Sequence, residues 1–164
     1  MSVTAEQHLH TSFEHDAEFV EGEIVERPAP YFEHSIMQGF LIEQLSPTGR
    51  QLGWFTMLEL RVRTGPERFR FPDVCVLRER PDEQSEGIVT RPPYLCVEIL
   101  APEDSATETL GKIREYLKFG VEWVWVIDPV SLAGQVHSRT SVVNIEDRIY
   151  STDRFSVDLS NVEF

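Results

Sequence analysis

Lysine is scarce in this sequence, with two residues (Lys112 and Lys118) against thirteen arginines, and cysteine is scarcer than a metal or disulfide scaffold needs. The two cysteines, Cys75 and Cys96, have no close Cys or His neighbour of the C-x2-C kind. That argues against a zinc centre and for two small thiols in the core. Positive charge is also short: the net charge is −13. This argues against a broad nonspecific nucleic-acid binder, which carries an excess of Lys and Arg. No apolar run is long enough to cross a bilayer, so no membrane partner is expected. The start, "MSVTAEQHLHTSFEHDAEF", lacks a basic stretch followed by an apolar one and does not read as a secretory signal. A reduced, cytoplasmic protein is the expectation. Repeats, low-complexity tracts and interdomain linkers are missing too. The 164 residues, 41% hydrophobic and 26% charged, fit one domain over 1–164, with a polar, flexible start over 1–12.

The charge that is present is unevenly spread. Residues 1–33 hold eight acids and one base, Arg27, whereas residues 61–80 hold six arginines against three acids. The second segment is either a local positive surface or the solvated face of a hairpin. "AEFVEGEIVER" alternates around Gly22 and predicts a small hairpin. From Glu33 to Leu45 the apolar residues Ile36, Met37, Phe40, Leu41 and Leu45 predict an amphipathic helix, ended by "SPTGR". "WFTMLELRVR", "TGPE" and "RFRFPDVCVL" read as strand, turn and strand. "RERPDEQSEGIVTRPP" reads as a loop and "YLCVEIL" as a strand covered on both faces. "APEDSATETLGKIREYLKFG" predicts a helix, with Ser105 and Glu108 as a capping box and Gly120 at its end. "VEWVWVID" is another buried strand, with Trp123 and Trp125 on one face as core residues. "GQVHSRT", "SVVNI" and "RIYS" are short, more exposed strands. Strand, helix and strand from Tyr94 to Asp128 predict two parallel neighbours, and the whole an α/β sandwich with a mixed sheet.

Two carboxylates interrupt the apolar strands, Asp73 in "PDVCVL" and Glu98 in "YLCVEIL". A buried acid costs several kcal/mol unless it is paired, hydrogen-bonded or bound to a cation. If the strands are neighbours, both carboxylates lie on one face at one end. They then repel unless a cation sits between them, and a hard divalent cation suits them. Lys112, on the flank of the next helix, has the reach to turn back toward them. The plainer alternatives are an Asp73 that merely ends a hairpin, a Glu98 paired with Arg70, and a surface Lys112 paired with Glu108 or Glu115. "HLH" at 8–10 with His15 invites a metal reading but stands in the polar start.

Asp after Pro on one strand, Glu on the next and a nearby Lys resemble the PD-(D/E)XK nuclease superfamily. More narrowly, the chain resembles the Uma-type restriction endonuclease family of bacteria. The resemblance runs through "FVEGEIVERPAPYFEHSIMQGFLIEQL", "FRFPDVCVL", "YLCVEILAPEDS", "KIREYLKFGVEWVWVIDP" and "FSVDLSNVEF". Leu100 stands where the superfamily places its lysine, two residues after Glu98. The resemblance moves that role to Lys112. It implies a restriction-endonuclease-like α/β core, a four-stranded mixed sheet between helices, with the additional short strands outside it. It implies Mg²⁺ or Mn²⁺ held by Asp73, Glu98 and the backbone carbonyl of Ile99, with Lys112 positioning a water. Glu23 matches a position for a metal or water contact, and His34 one for a phosphate contact or a helix cap. The implied activity is phosphodiester hydrolysis, with DNA as the nucleic-acid partner and a homodimer as one way to cut both strands. A nuclease-fold binding or assembly module without catalysis is the alternative, and the −13 charge speaks for it.

Overall fold

The computed structural model describes Thr4, Glu6, Gln7, residues 17–27 and residues 29–164. The "HLH" run and His15 lie outside the described residues, as does most of the polar start. Strands β1 (Ala17–Val20) and β2 (Glu23–Glu26) pair antiparallel. Glu21 and Gly22 join them, both at positive φ (52° and 87°), the backbone that two-residue hairpins use to match strand twist.

Helix α1 (Phe32–Leu52) is longer than its sequence suggests, for it runs through Pro47. Pro47 and Glu43 both face solvent, so the carbonyl that loses its partner to the proline stays within reach of water. The stop is Gly53, in the left-handed region at φ 72°. There the Gly53 N–H donates to the Arg50 carbonyl and the Trp54 N–H to the Gly49 carbonyl, at 3.1 and 2.8 Å.

The single hairpin expected over residues 54–77 breaks in both arms. It forms β3 (Phe55–Leu58), β4 (Val62–Gly65), β5 (Arg68–Arg70) and β6 (Val74–Leu77). The turn between β4 and β5 is where the Gly-Pro signal put it. Glu59, at φ 47°, bends one arm, and Pro72 interrupts the other. The outer halves join β1 and β2 in a four-stranded sheet of order β2-β1-β5-β4. The inner halves join the main sheet.

That sheet has six strands in the order β10-β9-β8-β7-β6-β3. It adds β7 (Leu95–Ile99), β8 (Trp123–Ile127), β9 (Gly134–Ser138) and β10 (Val142–Ile145). Helix α2 (Ala106–Phe119) connects β7 to β8, which pair parallel, and every other pair in the sheet is antiparallel. The implied four-stranded mixed core is thus β8-β7-β6-β3, extended by β9 and β10. The α2 cap is as predicted: the Glu108 N–H donates to Ser105 Oγ at 3.2 Å, and Ser105 Oγ donates to Glu108 Oε2 at 2.6 Å. A last hairpin pairs β11 (Ile149–Ser151) with β12 (Ser156–Asp158). The sequence reading assigned no strand at β12, although Phe155, Val157 and Leu159 alternate there with Ser156 and Asp158 and are all buried.

Strand alternation divides the core in two. Val74, Val76, Val97, Trp125 and Ile127 pack with Met37, Leu41 and Leu45 of α1. Cys75, Leu77, Cys96, Val124 and Val126 pack with Ile113 and Tyr116 of α2. The sheet therefore lies between the two helices, an α/β sandwich. Both cysteines are buried and free. Among the described residues no helix is long and apolar enough to cross a membrane.

Candidate active site

The β6–β7 ladder pairs Val74 with Val97 and Cys75 with Cys96. One step beyond it, the same register sets Asp73 across from Glu98. Opposite residues of an antiparallel pair share a face, here the α2 face. Asp73 stands in the bend just before β6 rather than inside the strand. Its Oδ2 accepts the Ile99 N–H at 2.7 Å, which ties it to the end of β7. Its Oδ1 accepts from Arg27 Nη2 at 2.6 Å and lies 3.2 Å from His34 Nε2. His34 comes from the first turn of α1 and is itself buried. One turn further, Gln38 Nε2 donates to Glu59 Oε1 at 3.0 Å.

Glu98 is held by α2. Tyr116 donates its hydroxyl to Oε1 at 2.7 Å, and Lys112 Nζ stands 3.4 Å from Oε2. These two residues are four apart, on one side of the helix. Lys112 Nζ also lies 3.2 Å from Oε1 of Glu18, a β1 residue that is 1% exposed. Arg70 bridges Glu18 Oε2 and Glu115 Oε2, each at 2.7 Å. Neither plain pairing suggested by the sequence is what holds: Arg70 serves Glu18 and Glu115, and Lys112 turns inward.

Sequence reasoning gave no site role to Glu18, Tyr116 or Arg27, and named Arg70 only as a partner for Glu98. Glu18 carried the signal that exposed Asp73 and Glu98, an acid flanked by apolar residues in a short strand. It was hidden among exposed acids. Glu23 is the predicted residue that stays apart: it is exposed on β2, at the rim of the cleft. All six arginines of 61–80 have a partner. Arg61, Arg63 and Arg80 lie over Phe71, Phe69 and Phe55, Arg68 pairs with Glu21, and Arg78 pairs with Glu122 while stacking on Trp54 and Tyr94. The hairpin-face reading fits them better than a free positive surface.

The electrostatics are those of a crowded, largely buried site. Four carboxylates (Glu18, Asp73, Glu98, Glu115) meet three permanent cations (Arg27, Arg70, Lys112). Burial pushes the Glu98 carboxyl up to about 7, and the charges of Asp73 and Glu18 add to the rise, against the pull of Lys112 and the Tyr116 hydroxyl. For Lys112 burial works against the charge, but Glu98 and Glu18 outweigh it and hold the ammonium above its ordinary pKa. Glu115 goes down in spite of burial, because Arg70 and Thr64 hydrogen-bond it. The cluster floors an open cleft of about 980 Å³ between the β1–β2 hairpin and the start of α2.

Among the described residues, no three His, Cys, Asp or Glu side chains stand as a ready metal cage. The donor chemistry nevertheless fits a hard divalent cation. Two carboxylates and the Ile99 peptide meet at one strand end, in a cluster with one more acid than cation, and such ions keep several waters of their own.

A mixed sheet between two helices, with two acids at the ends of adjacent central strands, is the arrangement of the restriction-endonuclease-like fold. A crystal structure from Anabaena variabilis, described as "a putative nuclease belonging to DUF820", matches with a TM-score of 0.81 and 26% identity, over 92% of this chain and 89% of that one. The chain belongs to the Uma2 family, described as "Putative restriction endonuclease", whose model matches residues 6–160. No curated protein matches it.

Proposed function

We propose that residues 1–164 form one nuclease unit that hydrolyses phosphodiester bonds in DNA with Mg²⁺ or Mn²⁺ held by Asp73, Glu98 and the Ile99 carbonyl. The observation that carries this reading is the unbalanced charge of the buried cluster. Glu18, Asp73, Glu98 and Glu115 outnumber Arg27, Arg70 and Lys112 by one, an excess that a proton on Glu98 or an added cation offsets. A bound divalent cation supplies Lewis-acid polarisation of the phosphoryl oxygen and a water of lowered pKa. The chain's own residues do the positioning. The Ile99 N–H fixes Asp73, and the Tyr116 hydroxyl fixes Glu98 and leaves Oε2 facing Lys112. Glu18 and Glu98 hold the Lys112 ammonium charged at the cleft floor, where it can orient a water or meet a developing negative charge. His34 steadies Asp73 from the opposite side and has the polarity to meet phosphate.

One observation favours the second reading, a nuclease-fold binding module. Nine of the residues lining the cleft are carboxylates against three permanent cations, a field that opposes entry of a polyanion. Calorimetric titration with Mn²⁺, followed by incubation with plasmid DNA and with RNA, separates the two. Wild type is expected to bind the ion and cut DNA, and Asp73→Asn to lose both together. Binding through Asp73 with every nucleic acid left intact would point to the module.

A further inference from the structure

Each oxygen of Asp73 already accepts one hydrogen bond: Oδ2 from the Ile99 N–H at 2.7 Å, and Oδ1 from Arg27 Nη2 at 2.6 Å, with His34 Nε2 3.2 Å from Oδ1. Arg27 is the one permanent cation at this carboxylate, so a second cation that ligates Oδ1 arrives against its charge. His34 is anchored in the first turn of α1 with its side chain 10% exposed. Arg27 lies between β2 and α1, on a long side chain that is 18% exposed at the cleft. It also carries the charge that a divalent cation would repel at this range. The other acids around it keep it charged: burial alone would lower its pKa, and Asp73, Glu98, Glu59 and Glu18 together raise it.

We propose that Arg27 is the resident counter-ion of Asp73, that a divalent cation displaces it from Oδ1, and that the freed guanidinium then binds a phosphate of the substrate in the same cleft. This rests on the reading of Asp73 as a metal ligand. Cation loading and substrate capture are thereby coupled through one side chain, since a guanidinium committed to a carboxylate offers no fork to a phosphate.

Titration calorimetry with Mn²⁺ on wild type, Arg27→Met, Arg27→Lys and Asp73→Asn tests the exchange, with circular dichroism as the check on folding. Anisotropy of a labelled DNA duplex in Ca²⁺ tests the capture. Arg27→Met is expected to bind Mn²⁺ roughly tenfold tighter, as removal of a competing charge requires, and the duplex more weakly than wild type. Arg27→Lys, a shorter point charge, should fall between the two for Mn²⁺ and serves if Arg27→Met does not fold. Mn²⁺ affinity equal to or below wild type in the folded variants overturns the exchange. Tighter Mn²⁺ with unchanged duplex affinity overturns the phosphate role. If Asp73→Asn binds Mn²⁺ as wild type does, the metal reading of Asp73 falls, and this proposal with it.

Discussion

Replacing Glu98 by glutamine should make the protein more stable at about pH 8 when divalent ions are chelated. In the folded chain the carboxyl rises from an ordinary 4.5 to about 7, chiefly through burial. The folded state therefore holds a proton that the unfolded chain has released, and stability falls as pH rises through the window from about 4.5 to 7. At about 1.4 kcal/mol for each pH unit, the loss approaches ~3 kcal/mol once Glu98 is ionised. The amide introduced by Glu98→Gln imitates the neutral acid, since its carbonyl oxygen can still accept from Tyr116 and Lys112 keeps Glu18. For a chain of this size the gain corresponds to roughly 6–12 °C in Tm. Thermal melts in EDTA at about pH 4 and pH 8, wild type beside variant, provide the comparison. The two should coincide at the lower pH and separate at the higher. Adding Mn²⁺ should reverse the order, because only the wild type gains binding energy from the ion. A variant less stable at about pH 8, or an advantage that does not grow with pH, would show that Glu98 is not a strained buried acid.

Two further outcomes follow from the same geometry. Lys112→Met leaves Glu18 and Glu98 short of their shared partner, so it should cost up to about 3 kcal/mol in urea unfolding, where the helix-flank position alone suggested almost nothing. Its Mn²⁺ affinity should hold or rise, while single-turnover cleavage falls about 10²-fold or more; cleavage at the wild-type rate would remove Lys112 from the chemistry. Burial pushes the Cys75 thiol up to about 12 and raises Cys96 as well. Both should resist a thiol reagent at about pH 8 until the protein unfolds, and rapid labelling of the native chain would contradict their place in the core.

The parts of the site that could be read from the sequence are those set by local periods. Period-two alternation in "PDVCVL" and "YLCVEIL" brought Asp73 and Glu98 to one face, and the Ser105–Glu108 box and Gly120 bounded the helix that carries Lys112. What escaped had no local signature. Arg27 and Arg70 reach Asp73 and Glu18 across 46 and 52 residues of chain. Glu18 lies in a four-residue strand beside the exposed Glu21, Glu23 and Glu26, and pattern alone cannot separate one buried acid from its solvated neighbours. The proline rule stopped α1 too early because its cost depends on which side of the helix loses the bond. The hairpin over 54–77 was right in its turn and wrong in its sheet. Alternation says which residues share a face, and says nothing about where an arm changes partners.

The hydrogen bond from the Ile99 amide to Asp73 Oδ2 supplies the molecule with a spectroscopic reporter. An amide proton's resonance follows the charge on its acceptor, and this one is shielded from water in the end of a central strand. In a ¹H–¹⁵N spectrum the Ile99 peak therefore records what happens at the other oxygen of the same carboxylate. Arrival of an ion, departure of a guanidinium and protonation would each move it differently. In ¹⁵N-enriched protein, one backbone signal thus follows the occupancy of the cleft with no chemical probe or substrate added.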